Sequence, residues 1–221
     1  MFKIEVYIDT LINLLKQNFG FRLLYVGLQG SYLRNEFDEK SDIDIMVVID
    51  NLLIKDLELY RNIIMENGNS EKSCGFICGK SELMNWNPRE ICQLIHTTKN
   101  YYGKLTEFVP AYTMEDEWNF VKISLNNLYH EICHRYIHAS KEKNIEKLPN
   151  TYKSVFFILQ NIHFLKTGNF IQTKRELLAQ LSGEDRNVLS KALELKNQSV
   201  YDFDDAYQIL FEWCKNTINK L

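Results

Sequence analysis

The 221-residue chain lacks the features that would place it in several specialised classes. No apolar run approaches the roughly 20 residues of a membrane-spanning helix, and the first residues lack the basic start and cleavage site of an export signal. The net charge is only −3, so no overall basic field predicts binding to a nucleic-acid backbone. With 45% hydrophobic residues, the composition predicts a soluble globular protein with an ample core.

The cysteines of the chain do not form a regular pattern. The chain has five cysteines, an odd number, and most lie inside apolar runs, where a free cysteine behaves as a small hydrophobic residue. This pattern is typical of a reducing compartment. Together with the missing export features, it predicts a cytoplasmic protein.

Glycine nearly vanishes after Pro110, and this change predicts two domains, residues 1–110 and residues 111–221. Hydrophobic periodicity and capping signals predict the elements of each half. In the first half, we expect helices over 3–19 and 52–67 and strands over 23–29, 42–49, 73–79 and 91–98. In the second half, we expect helices over 113–139, 149–166, 174–182, 185–197 and 203–219, with a solvated loop over 139–150. The predicted class is therefore α+β, an N-terminal α/β domain with a mixed sheet followed by a C-terminal helical bundle.

Two aspartates at the start of a buried strand carry the clearest chemical signal. Side chains alternate along a strand, so Asp42 and Asp44 project to one face, and the other face carries Ile43, Ile45 and Val47. Like charges this close repel unless a cation lies between them, and Mg²⁺ prefers such oxygen ligands together with substrate phosphates. Upstream, Gly30 and Ser31 follow a strand, where backbone amides can hold phosphate oxygens. We therefore predict a phosphate cradle and a metal clamp at one sheet edge.

The Gly30-Ser31 dipeptide, a polar spacer and the stretch SDIDIMVVI resemble the nucleotidyltransferase family related to DNA polymerase β. The resemblance covers residues 20–105. An α/β half followed by a helical half is also similar to the small bacterial members that adenylylate antibiotics such as aminoglycosides. The resemblance implies an enzyme that uses Mg²⁺, two ions by expectation, to transfer a nucleoside monophosphate, AMP by preference, from ATP or another NTP to a hydroxyl. Gly30 and Ser31 would hold the β- and γ-phosphates, and Asp42 and Asp44 would bind the metal.

One departure from the family pattern concerns the third carboxylate, which the family takes from a later strand. The stretch SCGFICG has no acid, and the candidates around it are Glu71, Glu82 and Glu90. We favour Glu90 as the third catalytic acid because it would stand at the start of the strand predicted over 91–98. In the helical half, the family pattern implies a base and a phosphate-binding lysine, and the candidates are Lys122, Glu131 and Lys153, of which Lys153 is our choice for the nucleotide.

Two other motifs compete with this interpretation. His130 to His134 match the pattern of a zinc peptidase, in which two histidines one helical turn apart hold Zn²⁺ and a glutamate acts as base. The extension that a metzincin requires is missing, and no third ligand follows in the sequence. The stretch GFICGKS, residues 75–81, is one residue too short between its glycines for a P-loop.

Three functional classes stay open beside the remote zinc-peptidase alternative. The first is a small-molecule nucleotidyltransferase, the second a toxin–antitoxin or protein-AMPylating relative, and the third a nucleotide-binding module without activity. The expected partners are an NTP and a small-molecule hydroxyl acceptor, without a membrane or a nucleic acid. A homodimer is left open.

Overall fold

A computed structural model describes residues 2–198 and 200–221 of the chain. Contacts within the chain divide it into two compact units, one reaching to Tyr112 and the other spanning Thr113–Leu221. The first unit holds a mixed sheet with helices, and the second is helical. The predicted α+β class is confirmed.

The first unit alternates helices and strands. In chain order its elements are α1 (Ile4–Phe19), β1 (Leu23–Leu28), α2 (Gly30–Leu33), β2 (Ile43–Ile49), α3 (Ile54–Asn67), β3 (Ser73–Gly79), α4 (Lys80–Met84), α5 (Pro88–His96) and β4 (Lys99–Tyr102). Within the described residues, the strands form one four-stranded sheet in the order β3-β2-β1-β4. Strand β1 runs antiparallel to both β2 and β4, whereas β2 and β3 are parallel and are joined through α3.

Successive apolar residues of strand β2 are buried in two different hydrophobic clusters, one on each face of the sheet. Ile43, Ile45 and Val47 lie in the cluster that packs against α1 and α3. Met46 and Val48 belong to a smaller cluster with Tyr25 on β1. Since successive side chains point to opposite faces, Asp44 is placed on the face of Met46 and Val48. The predicted separation of the aspartate from its apolar neighbours is therefore observed.

The second unit consists of helices around its own apolar cluster. Its elements are α6 (Met114–His138), α7 (Lys141–Thr151), α8 (Lys153–Thr167), α9 (Lys174–Gln180), α10 (Gly183–Asn197) and α11 (Phe203–Lys220). The cluster includes the fully buried Tyr152, Phe156 and Trp213. In the part of the chain that the structure describes, no helix is both long enough and apolar enough to cross a membrane.

Two local predictions are wrong. The segment 91–98, expected as a strand, lies mainly in α5, because Asn87 caps this helix by accepting a hydrogen bond from the Arg89 N–H and Pro88 occupies the first turn. The segment 139–150, expected as a loop, lies mainly in α7, which Ser140 caps and which buries Leu148. The sequence analysis also missed the short edge strand β4.

Candidate active site

Three strand termini meet at one end of the sheet. Because β1 and β2 are antiparallel, the end of β1 at Leu28 lies beside Ile45 near the start of β2. Because β2 and β3 are parallel, Asp44 is paired in register with Cys74 near the start of β3. The turn after β1, the two aspartates and the first residues of β3 are therefore brought together by the sheet itself.

Gly30 packs directly against Asp44. The Gln29 N–H donates a hydrogen bond of 2.9 Å to the Asp44 carbonyl oxygen, which fixes the turn that follows β1. Gly30 has φ +69°, and a Cβ atom added there would lie 1.8 Å from Asp44 Oδ2. Only glycine fits this place, for its conformation and for its lack of a side chain. The backbone at Gly30 and Ser31 and the Asp44 carboxylate thus form one continuous surface.

The spacer between Ser31 and Asp42 has a defined structure. The Ser31 carbonyl accepts a hydrogen bond of 2.9 Å from the Glu36 N–H, which closes the chain after α2. Tyr32 and Phe37 stack with ring centroids 4.3 Å apart and planes at 4°. Further along, Asp38 Oδ1 accepts from the Lys40 N–H at 2.9 Å, a local turn that leads into Asp42. The polar spacer is therefore anchored at both ends.

The two aspartates differ in environment. Asp42 is exposed and precedes β2, whereas Asp44 is half-buried within it. Burial raises the pKa of the Asp44 carboxyl above its usual value, the charge of Asp42 raises it further, and a hydrogen bond from the Cys74 thiol and the charge of Arg34 lower it. The charge of Asp42 therefore acts on the Asp44 carboxyl. A bound cation would stabilise the charged form of both carboxylates.

Arg34 is a residue of the site that the sequence analysis missed. Its side chain is only 10% exposed, and its Nε donates to Glu36 Oε2 at 3.2 Å. Its charge opposes the rise in the pKa of Asp44, so it lies close enough to act on the carboxylate. The signal available in the sequence was a cation three residues after Ser31.

The structure does not gather three acids at this end of the sheet. Glu90 lies in the first turn of α5, where its Oε2 accepts a hydrogen bond of 2.6 Å from Trp86 Nε1. The reason for choosing Glu90, a strand-initial position, therefore no longer holds. Glu82 lies in α4 and accepts from the Ser81 hydroxyl at 2.9 Å, and Glu71 lies in the turn before β3. Among residues 2–198 and 200–221, no group of three or more His, Cys, Asp or Glu side chains is arranged to hold a metal ion.

Comparison with known proteins assigns a family to the segment that contains this end of the sheet. The family model of the nucleotidyltransferase domain matches residues 8–83, which include the Gly30 turn and both aspartates. Residues 8–83 form a nucleotidyltransferase domain. The predicted family and the predicted enzyme class, a nucleotidyltransferase, are confirmed by this match. No curated protein matches the chain.

The chain was also compared with solved structures, and two of the matches are described here. The spectinomycin adenyltransferase AAD(9) from Enterococcus faecialis, crystallised with ATP and spectinomycin, matches with a TM-score of 0.58 and 14% identity, over 95% of this chain and 98% of that chain. This likeness shows a shared fold. A toxin-antitoxin structure with AMP-PNP has a TM-score of 0.33 and 22% identity, over 58% of this chain and 91% of that chain, which is too low to support an argument.

The donor set of the nucleotidyltransferase domain fits Mg²⁺ bound together with a nucleotide. Mg²⁺ usually keeps several waters and is held by one or two carboxylates plus substrate phosphates. Asp42 and Asp44 supply two carboxylates, and Gly30, which has no side chain, lets its backbone approach Asp44 Oδ2 closely. A closed cage made by the protein alone would need more ligands than these two carboxylates.

The candidates of the helical unit lie outside the nucleotidyltransferase domain. Lys153 is exposed at the start of α8, and Lys122 is exposed on α6. Glu131, also on α6, accepts a hydrogen bond of 3.1 Å from the Thr151 hydroxyl, so it has a partner within its own unit. The roles proposed for these residues stay predictions.

His130 and His134 lie one turn apart on α6, with ring centroids separated by 5.9 Å. Their predicted position on a helix is confirmed. The described residues hold no arrangement of three His, Cys, Asp or Glu side chains around a metal ion, here or elsewhere, so they give no third ligand for a peptidase zinc.

Proposed function

We propose that this protein transfers a nucleoside monophosphate, AMP by preference, from ATP or another NTP to a hydroxyl of a small molecule of the aminoglycoside type. The observation that carries the proposal is the contact between the Gly30 turn and Asp44 beside Asp42. A phosphate-binding backbone and a pair of metal-binding carboxylates adjoin each other there. Phosphoryl-transfer enzymes work mainly by positioning and charge neutralisation, and this edge offers groups for both.

The residues of the first unit divide the work between them. The backbone amides at Gly30 and Ser31 hold the β- and γ-phosphates, and Asp42 and Asp44 hold two Mg²⁺ ions. When bound, Mg²⁺ supplies positive charge to the phosphate oxygens. We assign residues 1–110 to the nucleotidyltransferase domain and residues 111–221 to a separate helical domain. The five cysteines are free, which suits a cytoplasmic enzyme.

The reaction has a simple balance. The acceptor oxygen forms a bond to the α-phosphorus while the bond between this phosphorus and the β-phosphate oxygen breaks. Pyrophosphate leaves, and the hydroxyl proton passes to water. Glu90 is not assigned as the base, because it lies in α5 with Trp86 as its hydrogen-bond donor. Lys153 keeps the role of a candidate phosphate ligand.

A double-label experiment tests the proposal. The protein is incubated with Mg²⁺, a panel of aminoglycosides and lincosamides, and ATP labelled on either the α- or the γ-phosphate. We expect the α-label on at least one acceptor and the γ-label in pyrophosphate, with Asp44→Asn inactive. Transfer of the γ-label to the acceptor would contradict the proposal, because it would mean a kinase.

The other open classes correspond to distinct outcomes of the same experiment. Tight NTP binding without transfer, even with other NTPs, would favour the nucleotide-binding module, for which the missing third acid is the supporting observation. Label on protein in a cell extract, with none on the small molecules, would favour a protein-AMPylating enzyme. If the wild-type protein neither binds an NTP nor transfers label to any acceptor, all three classes are excluded.

A further inference from the structure

Cys74 is the β3 residue that faces the aspartate pair. In the parallel register of β2 and β3, Asp44 is paired with Cys74, and partners in register project to the same face of a sheet. The Cys74 thiol also acts on the Asp44 carboxyl and lowers its pKa, as a nearby donor does. The residue is exposed and belongs to neither hydrophobic cluster of the described first unit. Packing in the hydrophobic core therefore does not explain why Cys74 lies beside Asp44.

The backbone after Cys74 holds this contact in place. Gly75 has φ +102°, and a Cβ atom added there would lie 2.1 Å from the Ile45 carbonyl oxygen. Any side chain at this position would collide with the main chain of β2, which cannot move aside as a flexible side chain could. The main chains of β2 and β3 are therefore held close together next to Cys74.

We infer that Cys74 is a positioning residue of the Asp42–Asp44 site: its thiol lies beside Asp44 and orients the carboxylate. The inference rests on the proposed function, because it takes Asp44 as a metal ligand. A donor that orients a metal-binding carboxylate matters for affinity, and its removal typically weakens metal binding by about 10–100-fold. A thiol is a weak donor, so the lower end of this range applies here.

The test uses Mn²⁺ alone, titrated into the full-length protein without nucleotide and followed by electron paramagnetic resonance. Cys74→Ala removes the donor, and Cys74→Ser keeps one. We expect about tenfold weaker Mn²⁺ binding in the alanine variant and recovery to within about twofold in the serine variant. The melting temperatures should agree with that of the wild type, since an exposed substitution changes stability by no more than about 0.5 kcal/mol.

A second pair of variants has nearly the same shape but different charge. Cys74→Asp places a third carboxylate beside Asp44, whereas Cys74→Asn is neutral. We expect Mn²⁺ binding about tenfold tighter in the aspartate variant than in the asparagine variant. A carboxylate is a metal ligand, and the loss of a group that supports a metal site typically weakens metal affinity by about this factor. Equal affinities in this pair would overturn the placement of residue 74 beside the metal.

The outcomes separate this inference from the proposed function. Mn²⁺ binding by Cys74→Ala equal to that of the wild type would overturn the positioning role. If Asp44→Asn also binds Mn²⁺ as the wild type does, the metal site of the proposed function fails with it. If Asp44→Asn loses Mn²⁺ while all Cys74 variants match the wild type, only the inference about Cys74 fails.

Discussion

Replacing Gly30 with alanine should disable the candidate site by two separable effects. The first is backbone strain, because Gly30 has φ +69°, a conformation that costs a residue with a side chain about 1–2 kcal/mol. The second is a collision, because the new Cβ atom would lie 1.8 Å from Asp44 Oδ2, where ordinary contact begins at 3.4 Å. The Asp44 carboxylate must therefore turn away from its place at the sheet end.

The chain offers a matched control at Gly168, the C-terminal cap of α8. Gly168 has φ +70°, and a Cβ atom added there would meet nothing within 4 Å. Gly168→Ala thus introduces the same strain without the collision. Gly168→Ala should lose about 1–2 kcal/mol of stability, which lowers the melting temperature of a chain of this size by about 2–8 °C, and Gly30→Ala should lose at least as much because of the added collision.

Only the Gly30 variant should lose function. A misplacement of about 1 Å in a catalytic group can cost about 100-fold in rate, and we expect a loss of at least this size in nucleotidyl transfer. Calorimetry with Mg·ATP and thermal unfolding are measured on both variants. Unchanged Mg·ATP binding and transfer in Gly30→Ala would refute the placement of the turn in the site.

Three further substitutions test the site and the unit that carries it. Asp44→Asn should abolish Mg²⁺-dependent NTP binding with a melting temperature equal to or above that of the wild type, because the raised pKa of Asp44 means that its charge opposes folding at neutral pH. Ser31→Ala should weaken NTP use less than Asp44→Asn does, since the backbone amide survives. Asp56→Asn should cost about 2 kcal/mol in urea unfolding, because the buried Asp56 accepts hydrogen bonds from Arg22 and from the Leu53 N–H.

Each of these expectations has a result that contradicts it. A large fall in the melting temperature of Asp44→Asn would mean that the carboxylate is structural, and Asp9→Asn on the exposed face of α1 serves as its control. Equal loss in the Ser31 and Asp44 variants would assign a larger role to the hydroxyl.

For Asp56, the hydrogen bond from Arg22 lowers the pKa of the carboxyl below its usual value. Its contribution to stability is therefore present above the usual carboxyl pKa and is lost as the pH falls through the lowered one. A wild type and an Asp56→Asn variant that lose stability in parallel on acidification would contradict this account.

The sequence was sufficient to predict the acidic end of the sheet. Alternation of apolar residues with Asp42 and Asp44 requires only the strand period, and the glycine before Ser31 marks the turn, so both features are local. The prediction of a strand over 91–98 was wrong because it relied on the β-branched residues of this segment and overlooked the helix cap formed by Asn87. The placement of Cys74 beside Asp44 was not predictable, because the register of parallel strands is set by the tertiary packing of the crossover, here α3, that joins β2 to β3.

The second unit shows a different limit. The segment 139–150 is charged and contains Pro149, which suggested a loop, yet Ser140 caps a helix there and Asn144 donates a hydrogen bond of 3.0 Å to the Arg135 carbonyl. Tertiary contacts of this kind override local composition. The acceptor of the proposed reaction is not encoded in any local pattern, because pocket shape arises from several distant segments.

The most direct test of the central claim is anomalous scattering from crystals grown with Mn²⁺ and a non-hydrolysable ATP analogue. Mn²⁺ occupies the kind of oxygen site that Mg²⁺ occupies, and its anomalous signal locates the ion without assumptions. We predict Mn²⁺ peaks at the carboxylates of Asp42 and Asp44, with the triphosphate against the backbone of Gly30 and Ser31. A nucleotide bound elsewhere, or Mn²⁺ held without either aspartate, would contradict the account.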